Sequence, residues 1–267
     1  MPQSRSTPTS RYFSGQGRLA IGDRDPTTGL FSNLIYVGNV TALTLTPSVE
    51  STPHNESMTG ERGEDFTFNS TRSIEFSFTA ESLELNLLQA ALWGTKTDDA
   101  TGGAVVDEAH TASPGKSFPL NHPNVSAISI ETATGSTPLV DGDDYNYDAE
   151  FGVIHILSTS TVITAADTAV LVSYTGGEYI NIEAMTSLEA PERYIRFEGI
   201  NTLSEEGGFS QELYLVEIPR ARMNPISSFE LINDAVGSAE FTGRCLQDVT
   251  AASGTSKYFR HRVIQTA

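Results

Sequence analysis

Two segments near the start of the chain alternate between apolar and polar residues. In Asn33–Thr46 the alternation is centred on Leu43 and Leu45. In Phe66–Thr79 the residues of one parity are apolar (Phe66, Phe68, Ile74, Phe76 and Phe78) and those of the other are polar (Ser73, Glu75 and Ser77). A period of two residues is typical of a strand with one buried and one solvated face. The pattern therefore predicts two strands, joined by a long polar loop over residues 47–65 that contains two prolines.

A short helix is predicted directly after the second strand. From Ser82 onward the apolar residues recur at helical spacing and form one stripe: Leu83, Leu87, Leu88, Ala91 and Leu92. Either Thr79 or Ser82 offers an oxygen for the N-terminal cap. Gly94 suits a left-handed C-cap, and Trp93 is expected to anchor the end of the helix on the sheet.

The remaining pattern predicts more strands and a separate middle segment. Residues 95–104 have the composition of a linker, and residues 105–179 contain short strands separated by turns, which is typical of a small sandwich or barrel. Later apolar segments predict strands at 180–182, 194–200, 212–218, 229–232 and 240–246. Residues 1–18 lack an apolar period and are expected to form an arm.

The net charge of −18 is unevenly distributed along the chain. Residues 1–97, 98–192 and 193–267 carry net charges of −3, −14 and −1. This asymmetry supports a separate middle unit, and it argues against a broad basic surface for binding nucleic-acid phosphates.

No motif in the sequence predicts a catalytic, cofactor or metal site. The string PGKS at 114–117 lacks the earlier glycine of a phosphate-binding loop, and the five histidines are scattered. The acidic segment DGDDYNYD (141–148) is expected to be a solvated turn rather than a calcium loop. Cys245 is expected to be a buried, inert thiol. Neither a secretory signal nor a run of about 20 apolar residues is present.

Two parts of the chain resemble the major tail tube protein of long-tailed, non-contractile bacteriophages. In the first part the resemblance lies in YVGNVTALTLTPSVE (36–50), ESMTGERGE (56–64), RSIEFSFT (72–79) and SLELNLLQAALWG (82–94). In the second it lies in RYIRFEGIN (193–201), ELYLVEIPRARMNPISSFELI (212–232) and GRCLQD (243–248). The order of these segments, rather than any single motif, makes the resemblance.

The resemblance implies a mainly β fold, with a sandwich or barrel core and one short α-helix. Residues 19–104 and 180–248 would form the core, residues 105–179 an inserted, small immunoglobulin-like β domain, and residues 1–18 and 249–267 two arms. Because the inserted segment is strongly acidic, we expect it on the outside of any assembly.

The resemblance further implies that the protein assembles with itself in the tail of a virion, after synthesis in the host cytoplasm. Six copies would form a ring, and the rings would stack into a hollow tube. The tube would hold the tape measure protein before ejection and double-stranded DNA in transit, and would meet other tail proteins at its ends. No cofactor and no membrane insertion are expected.

Three groups of residues are candidates for contacts in such a tube. Channel-lining candidates are Ser73, Glu75 and Ser77, with Glu198 second. A mildly acidic wall would let DNA slide, because two like charges 10 Å apart in water repel by only about 0.4 kcal/mol. Inter-ring loop candidates are His54, Glu56, Met58, Glu61, Arg62 and Glu64. In the C-terminal arm Lys257, Arg260 and Arg262 form the densest basic cluster, and the two arginines are candidates for salt links with adjacent subunits.

The sequence leaves several points open. Parity does not decide which polar strand face lines the channel and which lies between subunits. An alternative function is a receptor- or glycan-binding tail protein, which predicts saturable binding of the inserted domain to host cells. A β-sandwich hydrolase is a third possibility, but the sequence lacks a spaced acid–base set.

Overall fold

The structure is a computed structural model that describes residues 13–58, 60–82, 84–99, 102–187, 189–202 and 212–264. The chain divides into two compact units. Unit 1 contains the residues up to Thr95 and from Glu183 onward, and unit 2 is Lys96–Ile182. Unit 2 therefore extends beyond the predicted 105–179 at both ends.

The described residues form a mainly β structure with one short helix, which confirms the predicted fold class. The elements are β1 (Gly15–Arg24), β2 (Phe31–Tyr36), β3 (Val40–Asn55), β4 (Glu64–Ala80), α1 (Leu85–Ala91), β5 (Thr95–Asp99), β6 (Gly103–Ala112), β7 (Ser117–Pro119), β8 (Ser126–Thr132), β9 (Tyr145–Asp148), β10 (Val153–Ile156), β11 (Thr168–Gly176), β12 (Tyr179–Glu183), β13 (Glu192–Asn201), β14 (Glu212–Met223), β15 (Ala239–Cys245) and β16 (Arg260–Ile264). Within this part of the chain, no helix has the length and apolar character needed to cross a membrane.

Unit 1 is built on one antiparallel sheet in the order β2-β1-β13-β14-β15-β4-β3, with β16 paired to β14 beside β15. The two end strands, β2 and β3, are joined by residues 37–39 alone. A link of this length spans at most about 14 Å, so the sheet must curl until its opposite edges approach each other. The predicted strand Asn33–Thr46 is therefore interrupted. Gly38 permits the break, because its φ is +82° and a Cβ atom there would lie 2.5 Å from Cβ of Ser82.

The apolar core of unit 1 lies on the inner face of the curled sheet. Its buried side chains come from both halves of the sheet and from the helix: Leu19, Phe76, Phe78, Leu87, Ala90, Ala91, Ile195, Ile218, Met223 and Phe241. Phe78 stacks on Phe241 with ring centres 5.0 Å apart. The predicted burial of Phe76 and Phe78 is confirmed.

Helix α1 is shorter than predicted and ends differently. Its N-cap is Glu84, and no side chain caps it, so the predicted caps at Thr79 or Ser82 are wrong; Leu83 lies outside the described residues. At the other end Trp93, not Gly94, takes the left-handed conformation (φ +49°), while the backbone N–H of Gly94 donates to the Gln89 carbonyl at 3.0 Å. Nε1 of Trp93 donates to the Met223 carbonyl at 3.2 Å, which confirms that this residue anchors the helix on the sheet.

Strands β3 and β4 form a hairpin much longer than the sequence predicts. Residues 47–55, expected to belong to a loop, continue β3 and pair with β4, so only residues 56–63 form the connection. Pro47 and Pro53 do not prevent this pairing, because β3 is an edge strand, where a proline can point its missing N–H away from the partner.

A β-bulge in this hairpin reverses the parity of β4. Glu50 pairs with Thr71, but the next residue, Ser51, pairs with Asn69, so Ser70 is an extra residue. One extra residue shifts the alternation, so residues of the same parity before and after Ser70 lie on opposite faces of the ribbon. The prediction that Phe66 and Phe68 share a buried face with Phe76 and Phe78 is therefore wrong. They are 62% and 47% exposed.

The predicted arms and one predicted strand also need correction. Strand β1 begins at Gly15, inside the expected N-terminal arm, and residues 260–264 of the expected C-terminal arm form β16 in the chain's own sheet. Residues 1–12 and 265–267 lie outside the described residues. The apolar segment 229–232 forms no strand, and Leu231 and Ile232 are exposed.

Unit 2 contains two three-stranded antiparallel sheets, β6-β11-β8 and β7-β10-β9, and a two-stranded pair of β5 and β12. The three-stranded sheets share one core cluster: Ala112, Leu120, Val125, Ile130, Leu139, Tyr145, Ile154, Ile156, Ile163, Val170, Val172 and Tyr174. This arrangement agrees with the small sandwich that the short-strand pattern predicts.

The buried and the exposed phenylalanines of β4 predict mutational effects of very different size. Phe78→Ala should lower the free energy of unfolding of unit 1 by about 3–5 kcal/mol, because it opens a cavity beside Phe241. Phe66→Ala, which removes an exposed ring, should change it by less than about 0.5 kcal/mol in the monomer. Urea unfolding of the two variants measures both values. Equal losses would contradict the bulge and the parity reversal.

Candidate functional site

The outer part of the β3–β4 hairpin, residues 47–72, projects beyond the apolar core, and we call it the distal hairpin. Nearly all of its described residues are exposed, on both faces of the ribbon. At a rise of about 3.3 Å per residue, its nine β3 residues extend for about 30 Å. A two-stranded ribbon of this kind is marginally stable in water on its own.

The distal hairpin exposes apolar side chains as well as polar ones. Phe66 pairs with His54 and Phe68 with Thr52, so both rings lie on one ribbon face, with centres 6.5 Å apart. Val49 and Met58 are also exposed. Two exposed aromatic rings side by side, as Phe66 and Phe68 are, are typical of an interaction surface.

Hydrogen bonds within the hairpin order its acidic tip, which holds all six inter-ring candidates (His54, Glu56, Met58, Glu61, Arg62 and Glu64). Nδ1 of His54 donates to Asp65 at 2.7 Å, and this bond lowers the pKa of Asp65. The backbone N–H of Met58 donates to the Glu56 carboxylate at 2.6 Å. Residues 47–65 hold five carboxylates and one arginine, so this surface is strongly acidic.

The outward side of β4 and β15, together with Thr46 of β3 and Asn224 after β14, forms a polar surface that we call the hydroxyl face: Thr46, Ser73, Glu75, Ser77, Asn224, Glu240, Thr242 and Arg244. Ser73, Glu75 and Ser77 alternate with core residues and therefore point away from the core. Oε1 of Glu75 lies 3.1 Å from Nη2 of Arg244 on the neighbouring strand. This ion pair compensates the charge of Glu75, while Glu240, exposed on the same side of β15, adds a further carboxylate to the face.

A second outward surface, the arginine–aromatic face, surrounds Glu198 on β13. It contains Arg18, Phe31, Tyr36, Arg196, Glu198, Glu217 and Arg262. Glu198 accepts hydrogen bonds from Nη2 of Arg18 at 2.7 Å and from Nε of Arg196 at 2.9 Å. Burial acts to raise the pKa of Glu198, but the bonds from Arg18 and Arg196 outweigh it and lower the pKa. The guanidinium of Arg18 also lies 4.5 Å from the centre of the Tyr36 ring.

Sequence reasoning missed the other members of this face. Arg18 and Glu198 are 180 positions apart in the chain and meet only because β1 pairs with β13. The sequence offered only a weak signal for this face. Arginine and tyrosine occupy positions of the strands that the apolar–polar alternation leaves in solvent, and these two residue types are enriched in protein interfaces.

The hydroxyl face and the arginine–aromatic face project from different sides of unit 1. Strands β4 and β13 are separated by β14 and β15 in a sheet that curls until its end strands approach. Glu75 and Glu198, which the sequence grouped as channel-lining candidates, therefore lie on two separate outward surfaces of unit 1, and their role in a channel stays a prediction.

One basic side chain of the predicted C-terminal arm, Arg262, has an ion-pair partner within its own chain. Nη1 of Arg262 lies 2.9 Å from Oε2 of Glu217, and Oε1 of Glu217 accepts a hydrogen bond from the Tyr194 hydroxyl at 2.6 Å. Arg260 faces Glu217 in the β14–β16 ladder, and the backbone carbonyl of Lys257 accepts a hydrogen bond from the Asp248 N–H. Arg262 therefore has an ion-pair partner in its own chain, and its expected salt link to an adjacent subunit stays a prediction.

The side chains of Asp144 and Cys245, residue types that can bind metals or take part in catalysis, are buried here and have structural surroundings. Asp144, in the acidic segment of unit 2, is buried and accepts hydrogen bonds from Ser160 Oγ at 2.6 Å and the Val140 N–H at 3.0 Å, so it ties a turn together. Among the described residues, no three or more His, Cys, Asp or Glu side chains are grouped to hold a metal ion. Burial raises the pKa of Cys245 to about 12, so the thiol is protonated at neutral pH.

The carboxylate of Glu108 is the centre of a hydrogen-bond network, which we call the hub, that connects several elements of unit 2. It accepts hydrogen bonds from Nε2 of His110 at 2.6 Å, the Asn121 N–H at 3.1 Å and the Tyr174 hydroxyl, whose oxygen lies 3.1 Å from Nδ1 of His122. Burial acts to raise the pKa of Glu108, but these donors outweigh it and lower the pKa. The hub joins β6, β11 and the loop after β7.

The stability of unit 2 should therefore depend on pH through Glu108. Because the folded pKa lies below the usual value of about 4.3, the stabilisation is present at neutral pH and is lost as the pH falls through the folded pKa. Glu108→Gln should destabilise unit 2 by about 1–3 kcal/mol at pH 7, since the amide presents a donor to groups that already donate. The substitution should also make the stability of unit 2 less dependent on pH between pH 5 and 3. Asp144, whose pKa is also lowered, should account for part of the dependence that is left.

Hydrogen exchange of peptides from residues 103–132 at pH 7 and pH 4 measures this effect. Glu150→Gln, at an exposed carboxylate of the same unit, is the matched control and should behave like the wild type. If Glu108→Gln kept the wild-type pH dependence, the hub would have no role in it.

Comparison with known proteins gives a family without an assigned function. No curated protein matches the chain. A family model described as protein of unknown function UCP028589 matches residues 12–262, which is nearly the whole chain and includes both units. The chain therefore belongs to this family of proteins of unknown function.

Proposed function

We propose that this protein is a structural subunit that assembles with itself, and that the assembly is the tail tube of a long-tailed, non-contractile bacteriophage. The observation that carries the proposal is the distal hairpin. It is a long ribbon with both faces in solvent and with two phenylalanine rings exposed on one of them. A ribbon with so little packing of its own gains stability when another chain covers it.

The two outward faces of unit 1 suit such an assembly. The hydroxyl face carries mostly short polar groups, and its one arginine is paired with Glu75, so it offers few free cations that could neutralise DNA phosphates and release their counterions. In the proposal copies close into six-membered rings, the rings stack, and double-stranded DNA passes through the tube once the tape measure protein has left.

The acidic character of unit 2 favours a peripheral position in the proposed tube. Unit 2 contains 12 acidic and 2 basic side chains, a net charge of −10. Like charges within about 8 Å of each other are little screened at physiological salt, so copies of this segment gathered at a narrow channel would repel each other. The same charges spaced around the outer girth would repel far less.

Electron microscopy of the purified protein at high concentration tests this function directly. We expect rings or hollow tubes, with sedimentation velocity showing species larger than a monomer. A protein that remains a compact monomer under all conditions, and whose unit 2 binds host cells saturably, would instead favour the receptor-binding function.

The hairpin should be essential for assembly but not for folding. Phe66→Ser combined with Phe68→Ser should reduce self-association at least tenfold, because it removes the exposed apolar rings. The circular dichroism and urea unfolding of the monomer should hardly change. The matched control is Val106→Ser, another exposed apolar residue in a strand, which should assemble like the wild type. Normal tubes from the double variant would contradict the role of the hairpin.

A further inference from the structure

The geometry points to the arginine–aromatic face as the surface that receives the distal hairpin of a second copy of this chain. This inference rests on the proposed self-assembly and adds the acceptor surface to it. The donor surface is the Phe66–Phe68 side of the hairpin with its acidic tip, and the acceptor surface lies on β1, β2, β13, β14 and β16.

The acceptor surface offers apolar contact area at an open sheet edge. Strand β2 ends the sheet and is exposed along its whole length, although it contains Phe31, Leu34, Ile35 and Tyr36. The side chains of Phe31 and Tyr36 remain 56% and 43% exposed. Phe31 is held flat against Tyr194, with ring centres 4.0 Å apart, so its free side is a rigid platform for another aromatic ring.

The charges of the two surfaces are complementary. Around Glu198 and Glu217 the acceptor face carries three arginines, Arg18, Arg196 and Arg262, in a protein whose net charge is −18. The side chain of Arg18 is 67% exposed. The hairpin has five carboxylates and one arginine within residues 47–65. An acidic ribbon with exposed phenylalanine rings therefore matches a basic, aromatic surface in both respects.

The hydroxyl face lacks these features. Its described residues are Thr, Ser, Asn, one Glu–Arg pair and Glu240, and none of them is an exposed large apolar residue. Docked there, the rings of Phe66 and Phe68 would meet polar groups only. The contrast answers the question that sequence parity leaves open: the arginine–aromatic face packs between copies, and the hydroxyl face stays in contact with water.

Because donor and acceptor are different surfaces of one chain, their contact is head-to-tail. Such contacts produce closed rings or open filaments instead of stopping at a symmetric dimer. Each copy keeps one free donor and one free acceptor until the assembly closes. The arrangement therefore permits a complementation experiment with two variants, each defective in one surface.

The experiment uses the full chain in two forms. The donor-defective form carries Phe66→Ser and Phe68→Ser, and the acceptor-defective form carries Arg18→Glu and Tyr36→Ser. Each form alone should remain monomeric in sedimentation velocity. An equimolar mixture should give a complex of two chains that grows no further, since only one competent donor and one competent acceptor can meet. Thr242→Glu, a charge change on the hydroxyl face, is the control and should self-associate like the wild type.

Each outcome bears on a different part of the inference. If the wild type assembles but the mixture stays monomeric, or if the acceptor-defective form assembles normally, the acceptor assignment is wrong while self-assembly stands. If the wild type never assembles, the proposed function itself fails. Circular dichroism verifies that each variant is folded, and Arg18→Glu alone, which leaves Tyr36 in place, should still weaken association several-fold if the double variant is unstable.

Discussion

The three-residue link between β2 and β3 is the constraint on which the architecture of unit 1 depends. These strands lie at opposite ends of the sheet, yet residues 37–39 can bridge only about 14 Å. The sheet must therefore curl, and the curl separates an inner face, which becomes the core, from an outer face. Gly38 makes the link possible because its backbone is left-handed and Ser82 leaves no room for a side chain. The curl also sends the two polar surfaces in different directions.

The hairpin shows what happens where the sheet continues past its core. Near the core, β4 has a buried and an exposed face, as its alternation requires. Farther out neither face has anything to pack against, and the bulge at Ser70 turns Phe66 and Phe68 to the side opposite Phe76 and Phe78. Apolar residues that would be core in a compact sheet become an exposed surface. Exposed rings do not stabilise an isolated ribbon. In the proposed self-association, they would be buried against another copy of the chain.

The charged residues of unit 1 are arranged mainly as intramolecular pairs. Arg244 holds Glu75, Arg18 and Arg196 hold Glu198, and Arg262 holds Glu217. The pair of Arg244 and Glu75, in which both side chains are largely exposed, is of a kind that contributes little to the free energy of unfolding, typically below about 1 kcal/mol. The effect of the pairs is on recognition: they mask charges that would otherwise attract counterions or nucleic acid. The acidity of the whole chain thus coexists with outer faces that are nearly neutral or slightly basic.

The sequence by itself determined the mainly β class, the short helix, the separate acidic middle segment and the inner residues Phe76 and Phe78. These features follow from local periodicity and composition, which each stretch of chain carries alone. Only the tertiary structure decided that Phe66 and Phe68 are exposed, that residues 260–264 are a strand, and that Glu75 and Glu198 lie on different sides. Each of these depends on which strand pairs with which, across separations of up to 180 residues. Pairing and bulges are set by the closure of the whole sheet, and no local pattern encodes that closure.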